Sequence, residues 1–194
     1  IVMQYEGLYI QDGVGTKAYG EVCSIYKLHG DFEINVKLDL LTWNEPLTKI
    51  QEIGLKVVKT NNDYISISRK KWYSNDILES RQVIHNTPDV PMINPNNITL
   101  LGLKIVRQVN TITTYFINST GNAILHYSFV DGFSEDLNVV LFGDVGDVPI
   151  EARFYDFNLV TGNPVIIKPL PPKKEYYITT SKHPIVDNRI LSTG

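Results

Sequence analysis

The stretch Phe32-Glu33-Ile34-Asn35-Val36-Lys37-Leu38-Asp39 alternates apolar and polar residues without a break. Successive side chains of a β-strand point to opposite faces, so this pattern predicts a strand with one buried and one solvated face. The segments 53–58 and 64–69 repeat the alternation on either side of residues 60–63, whose sequence Thr-Asn-Asn-Asp is typical of a turn. These segments therefore predict a β-hairpin.

Further strands are predicted along the rest of the chain, at residues 100–106, 112–117, 123–129, 137–142 and 152–160. Strands that recur about every 8 to 12 residues, with turn residues between them, are typical of an antiparallel sandwich. The stretch 72–97 interrupts the series because it contains Pro88, Pro91 and Pro95. For this stretch we predict one strand near residues 80–84 between long loops.

The composition indicates the same fold class. The chain has 22 Ile and 18 Val but only 3 Ala among its 194 residues. β-Branched side chains suit strands, whereas Ala is the strongest helix former. We therefore predict an all-β sandwich over residues 1–161, which is a length that one such domain can have. Residues 162–194 contain half of the chain's 10 prolines and predict an extended, polyproline-like tail.

Charge and cysteine content exclude several classes of protein. The net charge is −3 and the sequence pI is about 5.8, so a nucleic-acid-binding surface is not expected. No apolar stretch approaches the roughly 20 residues of a membrane-spanning helix. Cys23 has no second cysteine to pair with, and we predict it to be a half-buried core thiol in a strand. The first residue is Ile, so we expect a processed chain or part of a longer one.

The order of the predicted strands resembles the concanavalin A-like lectin/glucanase superfamily, and within it modules of the DUF1349 type. The resemblance is carried by residues 30–36, 53–58, 63–65, 103–107, 111–115 and 151–157, and covers roughly residues 19–160. It implies a jelly-roll sandwich of two curved antiparallel sheets, with sugars commonly held on the concave sheet. The superfamily includes lectins, glycosidases and structural domains, so the fold does not choose among these functions.

A glycosidase is the first enzyme class to consider. Retaining hydrolysis needs two carboxyl groups about 5–5.5 Å apart. The glucanase branch of the superfamily places its acids as Glu-x-Asp-x-x-Glu on one strand. In the nearest match here, residues 33–37, an amide and an ammonium stand where acids are required. We interpret Glu33, Asp39 and Glu52 as solvated strand positions. The four histidines show no spacing typical of a hydrolase or a metal site, and we predict a protein that is not an enzyme.

Carbohydrate binding has more candidate residues. Flat aromatic rings can cover the apolar face of a sugar, and amide, carboxylate or guanidinium groups can bind its hydroxyls. Trp72 and Tyr73 follow a predicted strand, as Trp43 does, and such positions are accessible to ligands. The candidate ligand-binding residues are Trp43, Asn44, Tyr64, Arg69, Trp72, Tyr73 and Asn75. The alternative is that these aromatic side chains cover the rim of the core.

Calcium is the cofactor that the resemblance implies. In relatives that hold calcium, an Asp of the closing strand is a ligand, and Asp156 matches that position. Glu6 is a possible partner for it, and Asp144 and Asp147 form a second acidic loop. Solvated turns are the alternative interpretation of all four residues.

The sequence therefore predicts a non-catalytic, lectin-like carbohydrate-binding module. The alternative is a structural module of a phage or viral tail or baseplate, or of a larger surface protein, that does not bind sugar. In that case residues 163–194 would form an arm that lies on a protein partner or neighbouring subunit. Either function suits an extracellular, cell-surface or virion-associated protein.

Overall fold

The computed structural model describes most of the chain, namely residues 8–12, 18–46, 49–95, 99–130, 132–133, 135–145, 148, 150–166 and 177–180. All of its regular elements are β-strands. They are β1 Leu8–Asp12, β2 Ala18–Trp43, β3 Gln51–Thr60, β4 Asp63–Trp72, β5 Asn75–Ile84, β6 Thr87–Pro95, β7 Gly102–Gln108, β8 Thr111–Ile117, β9 Ala123–Val130, β10 Leu137–Val145, β11 Ile150–Ile166 and β12 Tyr177–Thr180.

The long strand β2 belongs to both layers of the fold. Residues 18–28 pair with β10, whereas residues 32–37 pair with β7, and β11 runs along the other side of β2. Gly30 lies between the two halves with a φ of +64°, a backbone conformation that glycine adopts without a steric penalty. We call the layer β6-β5-β4-β3-β10 with the first half of β2 sheet A. Sheet B is β9-β8-β7, the second half of β2, β11, β1 and β12.

The two sheets pack face to face. β3 and β4 of sheet A contact β7 and β8 of sheet B, while β5 and β6 contact β9. The side chains between the sheets are almost wholly apolar, because alternate residues of each strand point inward. Among the fully buried ones are Phe32, Ile34, Leu38, Ile53, Leu55, Ile65, Ile67, Leu78, Leu103 and Phe154. The prediction of an all-β antiparallel sandwich is confirmed; within the described strands, only the β1–β12 pair is parallel.

The predicted hairpin at residues 53–69 is confirmed as β3 and β4, which are joined by residues 61–62. The strand predicted near residues 80–84 is confirmed as part of β5. The long loops predicted around it are wrong, because residues 75–95 form the hairpin β5–β6. Its prolines all lie in β6, which pairs with β5 alone among the described strands. An edge strand tolerates proline because half of its N–H groups need no partner in the sheet.

Two further predictions concern the end of the sandwich and the single cysteine. β11 continues beyond residue 161 and pairs with β2 as far as Ile166, while most of the predicted tail lies outside the described residues. The boundary at 161 and the extended tail stay predictions. Cys23 lies in a strand as predicted, but it is exposed rather than half-buried, and its Sγ lies 3.3 Å from Asn138 Nδ2. The expectation of a core thiol is therefore wrong, because Cys23 alternates with Val22, which packs against the core.

Candidate functional site

The side chains that sheet A turns away from the core form a surface that we call the polar face. Alternation places them opposite one another across neighbouring strands: Lys70 pairs with Glu52 on β3, and Ser68 pairs with Glu79 on β5. The polar face includes Tyr19 and Glu21 of β2, Glu52, Gly54, Lys56 and Val58 of β3, Tyr64, Ser66, Ser68, Lys70 and Trp72 of β4, Glu79 and Arg81 of β5, and Val140 and Phe142 of β10.

The centre of the polar face is a network of buried charges. Lys70 and Glu79 are only 7% and 4% exposed, and the Lys70 ammonium donates to both Glu79 carboxylate oxygens at 2.8 and 2.7 Å. Arg81 Nη2 lies 2.5 Å from Glu79 Oε1. Ser68 Oγ donates to Glu52 Oε1 at 2.6 Å, and Glu52 Oε2 lies 3.8 Å from the Lys70 ammonium. Each carboxylate thus has a fixed hydrogen-bond donor. Glu52 is therefore not the solvated strand residue that we expected.

A second cluster surrounds the Lys56 side chain. Its ammonium donates to Tyr19 Oη at 2.9 Å and to Glu21 Oε2 at 3.1 Å. It also lies 5.4–5.6 Å from the ring centroids of Tyr19, Tyr64 and Phe142, within the range of cation–π attraction. Burial acts to lower the pKa of Lys56, but the hydrogen bonds with Tyr19 and Glu21 outweigh it and the pKa is raised. Lys56 is therefore a fixed cation, and Tyr64 contacts it instead of presenting a free ring to a ligand.

Two aromatic side chains are exposed where β4 ends. Trp72 is 50% and Tyr73 is 48% exposed, and their ring centroids are 5.8 Å apart with the planes tilted by 38°. Trp72 is the last residue of β4 and follows Lys70 on the polar face by alternation. Tyr73 begins the β4–β5 turn with a φ of 52°. The two rings thus form an aromatic platform at one end of the buried charge network.

Asp76 of β5 links this turn to β4 and β2 through hydrogen bonds. Asp76 Oδ1 and Oδ2 accept from Arg69 Nε at 2.8 Å and Nη2 at 2.6 Å, in a two-pronged ion pair. Trp43 Nε1 also donates to Asp76 Oδ2 at 3.2 Å, and the Arg69 guanidinium lies 5.7 Å from the Trp43 ring centroid. The Trp43 side chain is half-buried, as the rim interpretation expects. The sequence does not indicate Asp76, because the prolines of residues 72–97 predict loops there and conceal the β4–β5 turn that places Asp76 beside Arg69.

The remaining candidates lie close to the same turn. Asn75 is exposed and is the ladder partner of Trp72. Asn44 is exposed after the end of β2, and its carbonyl accepts a hydrogen bond from Gln51 Nε2. The structure therefore gathers most of the predicted sugar-binding residues around the β4–β5 turn. Tyr64 is the exception, because it lies at the opposite end of β4.

The candidate calcium ligands are not brought together among the described residues. Asp156 is exposed on β11 with a φ of 49°, and its Oδ2 lies 2.7 Å from the Lys37 ammonium. Asp144 lies on β10, whereas Glu6 and Asp147 lie outside the described residues. In the part of the chain that the structure describes, no group of three or more His, Cys, Asp or Glu side chains is arranged to hold a metal ion. Calcium binding stays a prediction.

Within the described residues, no helix is long and apolar enough to cross a membrane.

Comparisons with known proteins concern the fold. No protein-family model and no curated protein matches the chain. Among solved structures, the chain is similar to a functionally unknown protein from Saccharomyces cerevisiae, with a TM-score of 0.57, 10% identity, and coverage of 74% of this chain and 73% of that one. It is also similar to the GH43 protein BlXynB from Bacillus licheniformis, with a TM-score of 0.54, 14% identity, and coverage of 68% of this chain and 27% of that one.

A third similar structure is GH43B of the Bacteroides ovatus xyloglucan PUL, with a TM-score of 0.53, 13% identity, and coverage of 66% of this chain and 27% of that one. The chain thus spans about a quarter of the length of the two GH43 chains. At such low identity these similarities show the β-sandwich fold alone. The DUF1349 assignment, the extracellular location and the protein partner stay predictions.

Proposed function

We propose that this chain is a non-catalytic carbohydrate-binding module that binds a glycan across the polar face, with Trp72 and Tyr73 as the stacking platform. The observation that carries the proposal is the half-exposed Trp72 ring at the end of the Lys70–Glu79 network. An aromatic ring can cover the apolar face of a pyranose, while neighbouring donors and acceptors bind its hydroxyls. The Asp76–Arg69 ion pair holds the stem of the turn, so the platform is in place before a ligand arrives.

The hydrogen bonding of the acids supports binding without catalysis. Glu52 and Glu79 lie on the same face, and such a pair is what a glycosidase requires. Glu79, however, accepts hydrogen bonds from Lys70 and Arg81, whereas a general acid has to donate a proton to the leaving group. Glu52 likewise accepts from Ser68. Both acids are therefore engaged as acceptors, which favours a role in fixing the surface.

Substitution of Trp72 tests the proposal. The Trp72→Ala variant should lose about tenfold or more in affinity for a glycan that the unaltered chain binds on an array, because truncating a central aromatic contact costs roughly 1–2 kcal/mol or more. Trp72→Phe keeps a ring and should retain most of the binding. Isothermal titration with the best array hit measures the affinity, and circular dichroism confirms that each variant is folded.

Tyr115→Ala is a matched control, because Tyr115 is an aromatic residue of sheet B, where Lys104 lies 5.4 Å from its ring centroid. This variant should bind like the unaltered chain. Absence of any signal on a broad glycan array, or an equal loss in the Trp72→Ala and Tyr115→Ala variants, would contradict the proposed site.

A further inference from the structure

A buried chain of hydrogen bonds joins the two sheets on the core side of β5. His126 is only 4% exposed, and it occupies the point on β9 where the register with β8 shifts by one residue. Its Nδ1 lies 2.6 Å from Ser80 Oγ of β5, which lies 2.7 Å from Thr114 Oγ1 of β8. The Thr114 hydroxyl in turn lies 3.2 Å from the carbonyl oxygen of Tyr127. Three strands from both sheets are thus linked through three side chains.

The direction of each proton in this chain can be assigned. A hydroxyl has one proton to donate, and a carbonyl oxygen can only accept. Thr114 must therefore donate to the Tyr127 carbonyl, Ser80 must donate to Thr114, and His126 Nδ1 must donate to Ser80. This order fixes the neutral imidazole as the Nδ1–H tautomer and leaves Nε2 as its basic nitrogen. His126 Nε2 is buried and has no hydrogen-bond partner in the described part of the chain.

Among the described residues, no acidic side chain faces His126 that could stabilise the charge of a doubly protonated ring. Glu79 and Arg81 flank Ser80 on β5, but alternation places them on the opposite face of the strand. β8 contains no acidic or basic residue, and Asp89 of β6 is exposed. Tyr127, the other titratable residue of β9, packs its ring edge-on against Phe129 at 4.9 Å. Burial is accordingly the cause that lowers the pKa of His126.

We propose that His126, Ser80 and Thr114 form an acid-sensitive clasp, which holds the edge strand β9 against β5 at neutral pH and opens when His126 takes up a proton. When the His126 ring is protonated at Nε2, it carries a positive charge and an N–H donor that has no acceptor in the core. The protonated ring is therefore stable only where it contacts water. β9 can move at small cost because it pairs with β8 alone among the described strands. Since Ser80 lies between Glu79 and Arg81, opening also removes a support from behind the polar face.

The pH range follows from the sign of the shift. A histidine whose pKa is lowered by folding contributes its full stability above the ordinary value of about 6.5. That stability is lost as the pH falls from about 6.5 through the lowered pKa of the folded state. Over this range the equilibrium for opening should rise by about tenfold for each pH unit.

Hydrogen exchange of the folded protein between pH 7.5 and 5 tests the clasp. After correction for the intrinsic pH dependence, the amides of residues 123–130 should lose protection by about tenfold per pH unit from pH 6.5 down to the lowered pKa of His126, while those of β3 and β4 should not change. His126→Gln should remove this dependence, because a glutamine amide can donate to Ser80 but does not titrate. His29→Gln, which alters an exposed histidine 2.5 Å from Asp136, should keep it.

A spectroscopic measurement covers the case in which His126→Gln does not fold. Nitrogen-15 spectra of the unaltered chain should show the Nδ1–H tautomer of His126 at pH 7.5, with a protonation midpoint below pH 6.5. Uniform protection of β9 across the pH range, an unchanged pH dependence in a folded His126→Gln variant, or an Nε2–H tautomer would each overturn the proposal.

Discussion

The two faces of sheet A are built from the same strands but bury different kinds of side chain. On β4, Ile67 points into the core and Lys70 points to the polar face, yet both side chains are almost completely buried. Burying the apolar side chain is favourable, at about 25 cal/mol per Å². Burying an ion pair such as Lys70–Glu79 is weak evidence for stability, because desolvation offsets the attraction. The core face therefore accounts for the fold, and the polar face calls for another explanation, which the proposed binding role supplies.

Breaking the buried ion pair should have the largest effect on stability. Glu79→Leu leaves the buried Lys70 ammonium with Glu52 at 3.8 Å as its nearest acid, and should cost about 3–5 kcal/mol. The double variant Lys70→Met with Glu79→Leu removes the unpaired charge as well and should recover most of this loss. Urea denaturation at pH 7 measures both. If the double variant is as unstable as the single one, the pair contributes stability of its own and the contrast between the faces is wrong.

Truncation of the core face should cost slightly less. Ile67→Ala removes a fully buried side chain between the two sheets and should lower the free energy of unfolding by about 2–5 kcal/mol, from lost burial and the cavity left behind. Val130→Ala is a matched control, because Val130 is a β-branched strand residue that is 81% exposed, and it should change little. Glycan affinity should be unaltered in both folded variants, so reduced affinity in Ile67→Ala would show that the core face also shapes the site.

Alternation made the core face predictable and left the polar face hidden. Phe32, Ile34, Val36 and Leu38 were expected on one buried face, and all four are buried. Lys70 and Glu79 occupy equally regular positions, but alternation predicts only which face a polar residue takes, not whether neighbouring strands will bury it. Their contact depends on the register between β4 and β5. That register cannot be deduced from the sequence, because residues 72–97 predict long loops and so conceal the short turn that joins β4 to β5.

The candidate site was predictable only in part. Trp72 was expected at a strand end because it follows an alternating segment, and the structure places it there. Its exposure and its tilt against Tyr73 depend on the two-residue turn that follows. Asp76 and His126 act through partners from distant strands, namely Trp43 of β2 and Ser80 of β5. No local pattern in the sequence indicates such contacts.

A smaller loss of stability is expected for a substitution of Gly54, whose backbone lies between the polar face and the core face of sheet A. Gly54 of β3 lies beneath the Phe142 ring, and a Cβ added there would approach both that ring and the Ile67 carbonyl oxygen to 2.7 Å. Gly54→Ala should therefore displace Phe142 and cost about 1–3 kcal/mol, which is typical of overpacking. Thermal and urea unfolding measure this loss. A shift of the Lys56 ammonium signals in NMR spectra should accompany it, because Phe142 is one of the rings around Lys56. An unchanged stability would mean that the strand backbone moves aside freely.

The smallest effect on stability is expected when the Lys37–Asp156 ion pair of sheet B is broken. The Lys37–Asp156 pair of sheet B and the Lys70–Glu79 pair both measure 2.7 Å, but the side chains of Lys37 and Asp156 are 52% and 62% exposed. Water and salt screen an exposed pair, so Lys37→Ala should not measurably change the urea midpoint. A loss as large as that of Glu79→Leu would show that distance rather than burial governs the contribution of these pairs to stability.

The Lys37→Ala variant also removes the ion pair of Asp156, so it is the most sensitive background for testing the predicted calcium site. Calcium should raise the melting temperature of Lys37→Ala, and this rise should be absent when Asp156→Asn is added.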